Sequence, residues 1–215
     1  MNIFSFDSPF MEFLTRAVEY MLVSLLCLVC CIPVITVGAA FTAQYYVGMK
    51  LIRGEEVPFF RGYFKSFKEN FKQATVIWLI EILLAAFFAF DWYLIYKMGG
   101  ENFNQIFKIL LGIVCLFFVM ASIAVFALLA RFEMTVIDAL KGAFAYTYVN
   151  IPRMLLVLVM TIVPSAAAFK YFNWLVAVWP IASAACLYII SYNFNKSFKK
   201  LELRVLGEDD GEKEE

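Results

Sequence analysis

Residues 74–96 read ATVIWLIEILLAAFFAFDWYLIY, and this run decides the class of fold. A helix that crosses about 30 Å of hydrocarbon needs about 20 mostly apolar residues, and this run meets that requirement. Three more apolar runs follow, at residues 107–129, 154–169 and 172–192. The run at 154–169 is the shortest and contains Pro164. Together the runs predict an all-α, polytopic transmembrane helix bundle.

The composition of the whole chain agrees with that prediction. Hydrophobic residues make up 63% of the 215 positions and charged residues only 17%, whereas about a quarter of an average soluble domain is charged. This chain has too little polar surface to keep a soluble globule dispersed. We therefore predict a single integral membrane domain over residues 1–207. The acidic end, residues 208–215, is predicted to be a disordered cytoplasmic tail.

The first apolar stretch, residues 14–52, is ambiguous, because it is either one helix kinked at Pro33 or two helices. Proline removes a backbone donor and disfavours helix in the residue before it, which favours two helices. Thr36 is then placed to cap the second helix. Gly38 and Thr42, like Ala39 and Ala43, have the small-xxx-small spacing that lets helices approach closely in lipid. Six spans are favoured, and five remain an alternative.

The distribution of Lys and Arg predicts the orientation, because basic residues stay on the cytoplasmic side. Six spans with the N-terminus inside leave all but three of the 18 Lys and Arg residues in the cytoplasm. Five spans with the N-terminus outside leave all but four. The two arrangements differ only at Arg16, so both predict a cytoplasmic C-terminus. The chain is predicted to cross a cell membrane several times.

Two carboxylates, Glu81 and Asp91, lie inside the first long run. On insertion scales a charged side chain at the centre of a membrane helix costs about 2.5–3.5 kcal/mol, so such groups usually face the bundle interior. Ten residues of helix leave the two about 80° apart around the axis. Both are intramembrane functional candidates. The alternatives are that Glu81 is protonated or hydrogen-bonded to a neighbouring helix, and that Asp91 reaches the outer surface.

A second pattern lies in the predicted cytoplasmic loop before this run, at residues 59–73, FFRGYFKSFKENFKQ. Its aromatic residues recur at helical spacing on one face, and its basic residues follow one position later on an adjacent stripe. The pattern predicts a short amphipathic helix along the inner membrane surface, its cations against anionic headgroups. A docking surface for a cytoplasmic partner is the alternative. The candidate residues are Arg61, Phe64, Lys65, Phe67, Lys68, Phe71 and Lys72.

The next predicted cytoplasmic loop, RFEMTVIDALKGAF at residues 131–144, is another helical candidate. Its apolar residues recur every four positions, and it carries charges of both signs. A loop helix packed on the bundle is one interpretation, and a surface shared with the previous loop is the other. The candidate docking residues here are Arg131, Glu133, Asp138 and Lys141.

Several kinds of chemistry lack their usual sequence signals. The chain has no histidine and no GxxxxGK[ST] phosphate loop, and its CxxCC motif at Cys27–Cys31 has no second pair of ligands. Serine and cysteine therefore lack the histidine that would activate them as nucleophiles. We predict a protein that is not an enzyme and has no metal or cofactor. No nucleic-acid partner is predicted.

The opening MNIFSFDSPFM, the block CCIPVITVGAAFTAQYY and the segment FFRGYFKSFKENFKQATVIW together resemble the YesL-like family. The later RFEMT and IPRMLL resemble its second cytoplasmic loop and the helix that follows. The resemblance covers most of the chain and is weakest in the last two helices and the acidic tail. It implies a bacterial membrane protein, mainly of Gram-positive bacteria, whose molecular function is undefined.

Members of that family are often encoded beside genes for carbohydrate uptake or polysaccharide degradation. The resemblance thus implies a link to sugar import, with carbohydrate-transport subunits as partners besides the lipid bilayer. It carries over no catalytic or ligand residues. The expected function is an accessory or permease-like component of carbohydrate uptake. The alternatives are a self-contained secondary transporter that uses Glu81, and a membrane-embedded sensor or scaffold.

Overall fold

A computed structural model describes residues 9–55, 58–99, 105–170 and 183–199 of the chain. These residues are helical apart from short connections, and no strand occurs among them. The helices, in order, are α1 (Pro9–Cys30), α2 (Val37–Ile52), α3 (Phe59–Leu94), α4 (Gln105–Arg131), α5 (Val136–Val149), α6 (Ile151–Lys170) and α7 (residues 183–199). The all-α prediction is confirmed for this part of the chain.

The break after α1 confirms the prediction of two helices. A single 3₁₀ turn, Val34–Thr36, joins them. Thr36 stands at the N-cap of α2, as predicted, but its hydroxyl does not accept a bond from the helix. It donates instead to the carbonyl oxygens of Pro33, at 2.7 Å, and Cys30, at 2.5 Å. The prediction that Thr36 caps α2 is therefore wrong. Its side chain instead binds the end of α1 and closes the turn.

The small residues of α2 are buried in the bundle, and one of them, Gly38, meets α3 closely. Gly38, Ala39, Thr42 and Ala43 are all buried, which confirms the significance of their spacing. A Cβ atom on Gly38 would lie 2.5 Å from the carbonyl oxygen of Ala74 and 2.9 Å from the Cβ of Trp78. The Trp78 indole also donates to the carbonyl of Val34, at 2.7 Å. The turn between α1 and α2 is thus fixed beside the middle of α3.

The amphipathic segment at residues 59–73 differs from its prediction. It is not a separate loop helix, because α3 runs without a break for 36 residues, from Phe59 through the predicted span to Leu94. Between Tyr63 and Leu94 the sequence contains neither glycine nor proline, so nothing ends the helix where its composition changes from polar to apolar. The chain then continues as a π-helical turn, Ile95–Gly99.

Two of the described helices are long and apolar enough to cross a membrane, namely α3 with its extension and α4. A third crossing is available if α5 and α6, which meet at 103°, form one broken span or a re-entrant loop. α2 has 16 residues, or about 24 Å of helix. These helices indicate a membrane protein. The count of six spans stays a prediction, since the run at 172–192 lies partly, and the tail at 208–215 wholly, outside the described residues.

Gly38 offers a direct test of the contact between α2 and α3. We expect Gly38→Ala to lower the free energy of unfolding by about 1–3 kcal/mol, because the obstructing atom is a backbone oxygen that cannot rotate away. The measurement is the thermal unfolding midpoint of the purified protein in detergent. Gly112→Ala in α4 is the matched control, since a Cβ there meets no described atom within 4 Å. Equal midpoints for the two variants would contradict the close approach.

Candidate functional site

Glu81 is the last buried residue of α3 and lies on the helix face that packs into the bundle. Ala74, Ile77 and Glu81 are buried in turn at spacings of three and four residues, which is one helix face. Glu81 is only 5% exposed, whereas Leu83, two positions further on, is 72% exposed. The carboxyl is therefore buried because it continues the packing face, as its depth in the run predicts.

The carboxyl group of Glu81 lies near a polar residue of a neighbouring helix. Ser122, from α4, lines the same small cavity as Glu81, and the Oε2 atom of Glu81 has no hydrogen-bonding partner among the described residues. Buried carboxylate oxygens are normally bonded, so the unpartnered Oε2 atom keeps Glu81 a candidate functional residue. In the sequence Ser122 is a polar residue inside the apolar run at residues 107–129, and no local pattern pairs it with Glu81.

A cavity of about 20 Å³ lies beside this carboxyl. Its walls are apolar and come from three helices: Leu84 of α3, Phe118 and Val125 of α4, and Leu140 and Phe144 of α5. That volume is enough for about one water molecule and far below the roughly 300 Å³ at which ligand pockets begin. In this conformation the space beside Glu81 is too small to admit a sugar.

Asp91 does not join this site. It is half-buried, and ten residues of α3 place it about 15 Å further along the axis. It is not part of the cavity lining. The structure therefore separates the two intramembrane candidates and brings Glu81 together with Ser122 instead.

The segment at residues 59–73 divides into a packed face and an exposed one. Arg61, Lys65, Lys68 and Lys72 are all exposed, and we call these four residues the basic stripe. Lys65 has one weak ion pair, with Glu69 at 4.0 Å, on the same helix. The basic stripe is thus an accessible array of cations.

The opposite face of this segment packs on the protein. Phe64, Phe67 and Phe71 are partly buried against the core, and the rings of Phe67 and Phe71 lie 5.6 Å apart. Tyr63 is fully buried and its hydroxyl donates to the carbonyl of Ala40 in α2, at 3.3 Å. The aromatic face, predicted to enter lipid, is used at least in part to attach this end of α3 to the bundle.

The second predicted loop contains α5, and its charged residues have different environments. Asp138 lies in the first turn of α5 and pairs with the N-cap residue Thr135. The backbone N–H of Asp138 donates to the Thr135 hydroxyl, and that hydroxyl donates to the Asp138 carboxylate at 2.6 Å. Glu133 and Lys141 are exposed. Asp138 therefore has a structural use, while Glu133 and Lys141 remain available at the surface.

Two arginines on either side of α5 form hydrogen bonds to α7. Arg131, at the end of α4, donates to Asn195 Oδ1 at 3.3 Å, and Arg153 donates to Ser197 Oγ at 2.9 Å. In the sequence Arg153 is one of the 18 Lys and Arg residues whose distribution predicts the orientation. The run of polar residues at Asn193, Asn195 and Ser197 was the available signal, but it did not identify the partner. These bonds hold the C-terminal end of α4 and the first turn of α6 against α7.

Comparison with known proteins places part of this architecture in a wider group. Residues 20–92 match a protein family described as Protein of unknown function, DUF624. The match begins in α1, includes all of α2 and extends to Trp92 in α3, so it covers the Gly38 contact, the basic stripe and both carboxylates. No curated protein and no solved structure matches the chain. The similarity supports an uncharacterised family and assigns no role to any residue.

The proximity of Glu81 and Ser122 predicts a hydrogen bond between them and therefore a measurable coupling. In a double-mutant cycle with Glu81→Leu and Ser122→Ala, we expect a coupling free energy of about 0.6 kcal/mol, the average for hydrogen bonds between membrane helices. Leucine replaces the carboxyl with an apolar group of similar size, so the cavity is not enlarged. Thermal unfolding of the four proteins in the same detergent gives the coupling. Strict additivity of the two single changes would show that the groups do not interact.

Proposed function

We propose that this chain is a non-enzymatic, multi-span membrane protein that serves carbohydrate uptake as an accessory or permease-like component. The basic stripe is its contact surface for a partner subunit. The link to sugars is supported by the resemblance to the YesL-like family, and the contact surface is supported by the geometry of α3.

The observation that carries this proposal is an exposed array of cations on a helix that cannot move freely. Arg61 and Lys72 mark the ends of the basic stripe, which is about 16 Å long. Tyr63 and the partly buried rings on the other face attach the same helical turns to the core. A fixed array of like charges loses little freedom on binding and suits an acidic partner surface, since complementary charge raises association rates and specificity.

A crosslinking experiment tests the contact directly. A photoreactive amino acid at position 68, within the basic stripe, is compared with one at position 83, which is exposed on the apolar half of the same helix. The full-length protein is purified from native membranes in mild detergent, and the crosslinked products are identified by mass spectrometry. We expect carbohydrate-import subunits to be captured from position 68 and not from position 83.

Charge reversal provides the matched variant. Lys65→Glu together with Lys68→Glu should reduce the recovery of these subunits several-fold, and raised salt should do the same to the wild-type protein, because exposed charges are screened. The stripe would instead be a membrane anchor if position 68 captured only anionic lipid. The accessory function would be wrong if, in addition, deletion of the gene left sugar uptake unchanged.

A second candidate function, a self-contained secondary transporter, is favoured by the unpartnered Oε2 atom of Glu81. A buried carboxyl that can take up and release a proton is a common coupling group in transporters. Because the cavity here holds about one water molecule, such a transporter would have to open further to admit its solute. The basic stripe would then contribute to orientation in the membrane rather than to partner binding.

Glu81→Gln separates the two functions. If the chain transports by itself, this variant should abolish proton-coupled solute uptake in proteoliposomes, because an amide of the same shape cannot exchange the proton. Insertion and crosslinking from position 68 should be unchanged. Asp91→Asn is the matched control, since Asp91 lies on the same helix but outside the cavity. Uptake at the wild-type rate by Glu81→Gln would rule out coupling through Glu81, and the absence of uptake by the wild-type protein would exclude the transporter function.

A further inference from the structure

The turn between α1 and α2 presents an apolar surface at the tip of a helix hairpin. The side chains of Ile32, Val34 and Ile35 are 77%, 63% and 57% exposed. The sequence has no charged residue between Glu19 and Lys50, so this end of the hairpin carries no charge. Single exposed apolar side chains are ordinary in water, whereas a charge-free cluster of them marks a surface that meets an apolar partner.

The backbone of this turn is paired by side chains of the protein. The Thr36 hydroxyl donates to the carbonyl oxygens of Cys30 and Pro33, and the Trp78 indole donates to that of Val34. Pro33 itself has no N–H to satisfy. At a turn in water, solvent would bind these oxygens. In hydrocarbon only protein groups can do so, because an unpaired backbone group there costs several kcal/mol.

The turn lies beside the start of the apolar run of α3 and far from its end. Gly38, just after the turn, lies against Ala74, and Trp78 bonds to the turn itself. Beyond Trp78, α3 continues to Leu94, a further 24 Å or about that. This continuation is apolar and much of it is exposed, as at Leu83. Most of the thickness of a bilayer is therefore needed on the far side of the turn.

The neighbouring helix α4 places the turn at the same depth. A Cβ atom on Gly38 would lie 3.0 Å from the ring of Phe126, and the part of α4 from there back to Gln105 is about 32 Å long. Ile109 and Ile113 are exposed on this part. If α1 and α2 crossed the bilayer, the turn would reach the far surface, and these apolar parts of α3 and α4 would extend into water.

Aromatic residues mark where α3 reaches the far surface. Trp92, Tyr93 and Tyr96 are all exposed, and the ammonium group of Lys97 donates to the Tyr93 hydroxyl at 2.7 Å. Such aromatic and basic side chains concentrate at membrane interfaces. The helix from Trp78 to Trp92 is about 21 Å long. In hydrocarbon about 30 Å thick, this leaves about 9 Å between the turn and the near surface.

We propose that α1 and α2 form a re-entrant hairpin. The chain enters the bilayer from the side of the basic stripe, turns at Pro33 within the nearer leaflet and leaves on the same side. The acyl chains of that leaflet cover Ile32, Val34 and Ile35. Thr36 and Trp78 make this contact possible because they pair the carbonyl oxygens of the turn. The N-terminus and the basic stripe then share one side, as six spans predict, but α1 and α2 are not two of the crossings.

Labelling of the full-length protein in membrane vesicles tests this topology. An azide-bearing amino acid is placed at position 35, and a membrane-impermeant strained alkyne is added to right-side-out or to inside-out vesicles. Positions 61, on the basic stripe, and 96, at the far end of α3, are the controls, because both side chains are exposed. We expect position 61 to react from one side, position 96 from the other, and position 35 from neither until SDS dissolves the membrane.

The two ways in which position 35 can react both overturn the proposal. Reaction from the side of position 96 would show that α1 and α2 cross the bilayer. Reaction from the side of position 61 would show that the turn lies in water. Ile35 is exposed, so its replacement does not disturb the packing of the hairpin.

Another protein seated on the turn would also prevent labelling, so a second measurement identifies what covers it. The purified protein carries a fluorescent amino acid at position 35 and is placed in nanodiscs whose phosphatidylcholine is brominated in the middle of its acyl chains. We expect quenching similar to that at position 113, which is exposed on α4, and several-fold stronger than at position 61. Position 35 left unquenched while position 113 is quenched would overturn the proposal, since protein and not lipid would cover the turn.

Discussion

The close contact between Gly38 of α2 and the backbone of α3 at Ala74 is the constraint on which the rest of the structure depends. In lipid, helices gain little from burying apolar surface against each other, so association relies on van der Waals packing and on interhelical hydrogen bonds. Because Gly38 has no side chain, α2 and α3 can pack in van der Waals contact. The hydrogen bond from the Trp78 indole to the Val34 carbonyl connects α3 to the turn before α2. This contact fixes the rotation of α3 about its axis and therefore decides which of its faces is buried.

Once that rotation is fixed, the charged residues of α3 take opposite positions. The buried face of α3 that begins at Ala74 continues to Glu81. It places Glu81 beside Ser122 and the part of the cavity wall that α5 forms. The basic residues nearer the start of the helix lie on a different face and remain at the surface. One helix thus presents a buried acid to the protein interior and an array of cations to its surroundings.

Local patterns predicted the elements whose cause is local. Pro33 predicted the break between α1 and α2, the spacing at Gly38 and Thr42 predicted a close helix contact, and four-residue periodicity predicted α5. The continuity of α3 was missed because a change from polar to apolar composition suggested a boundary, while the backbone had no residue to make one. The place of Ser122 beside Glu81 and the bond from Arg131 to Asn195 could not be predicted, since each pairs residues from helices whose relative placement is set by packing.

The uninterrupted α3 has a mechanical consequence. Thirteen residues, or about 20 Å of helix, join Lys68 to Glu81, and none of them is the glycine or proline at which helices usually kink. A load applied to one end of such a rod is carried to the other as a tilt or a turn about the axis. The helix between these two positions therefore moves as one body, so any displacement near Lys68 that the contact of Tyr63 with Ala40 permits also displaces the carboxyl of Glu81.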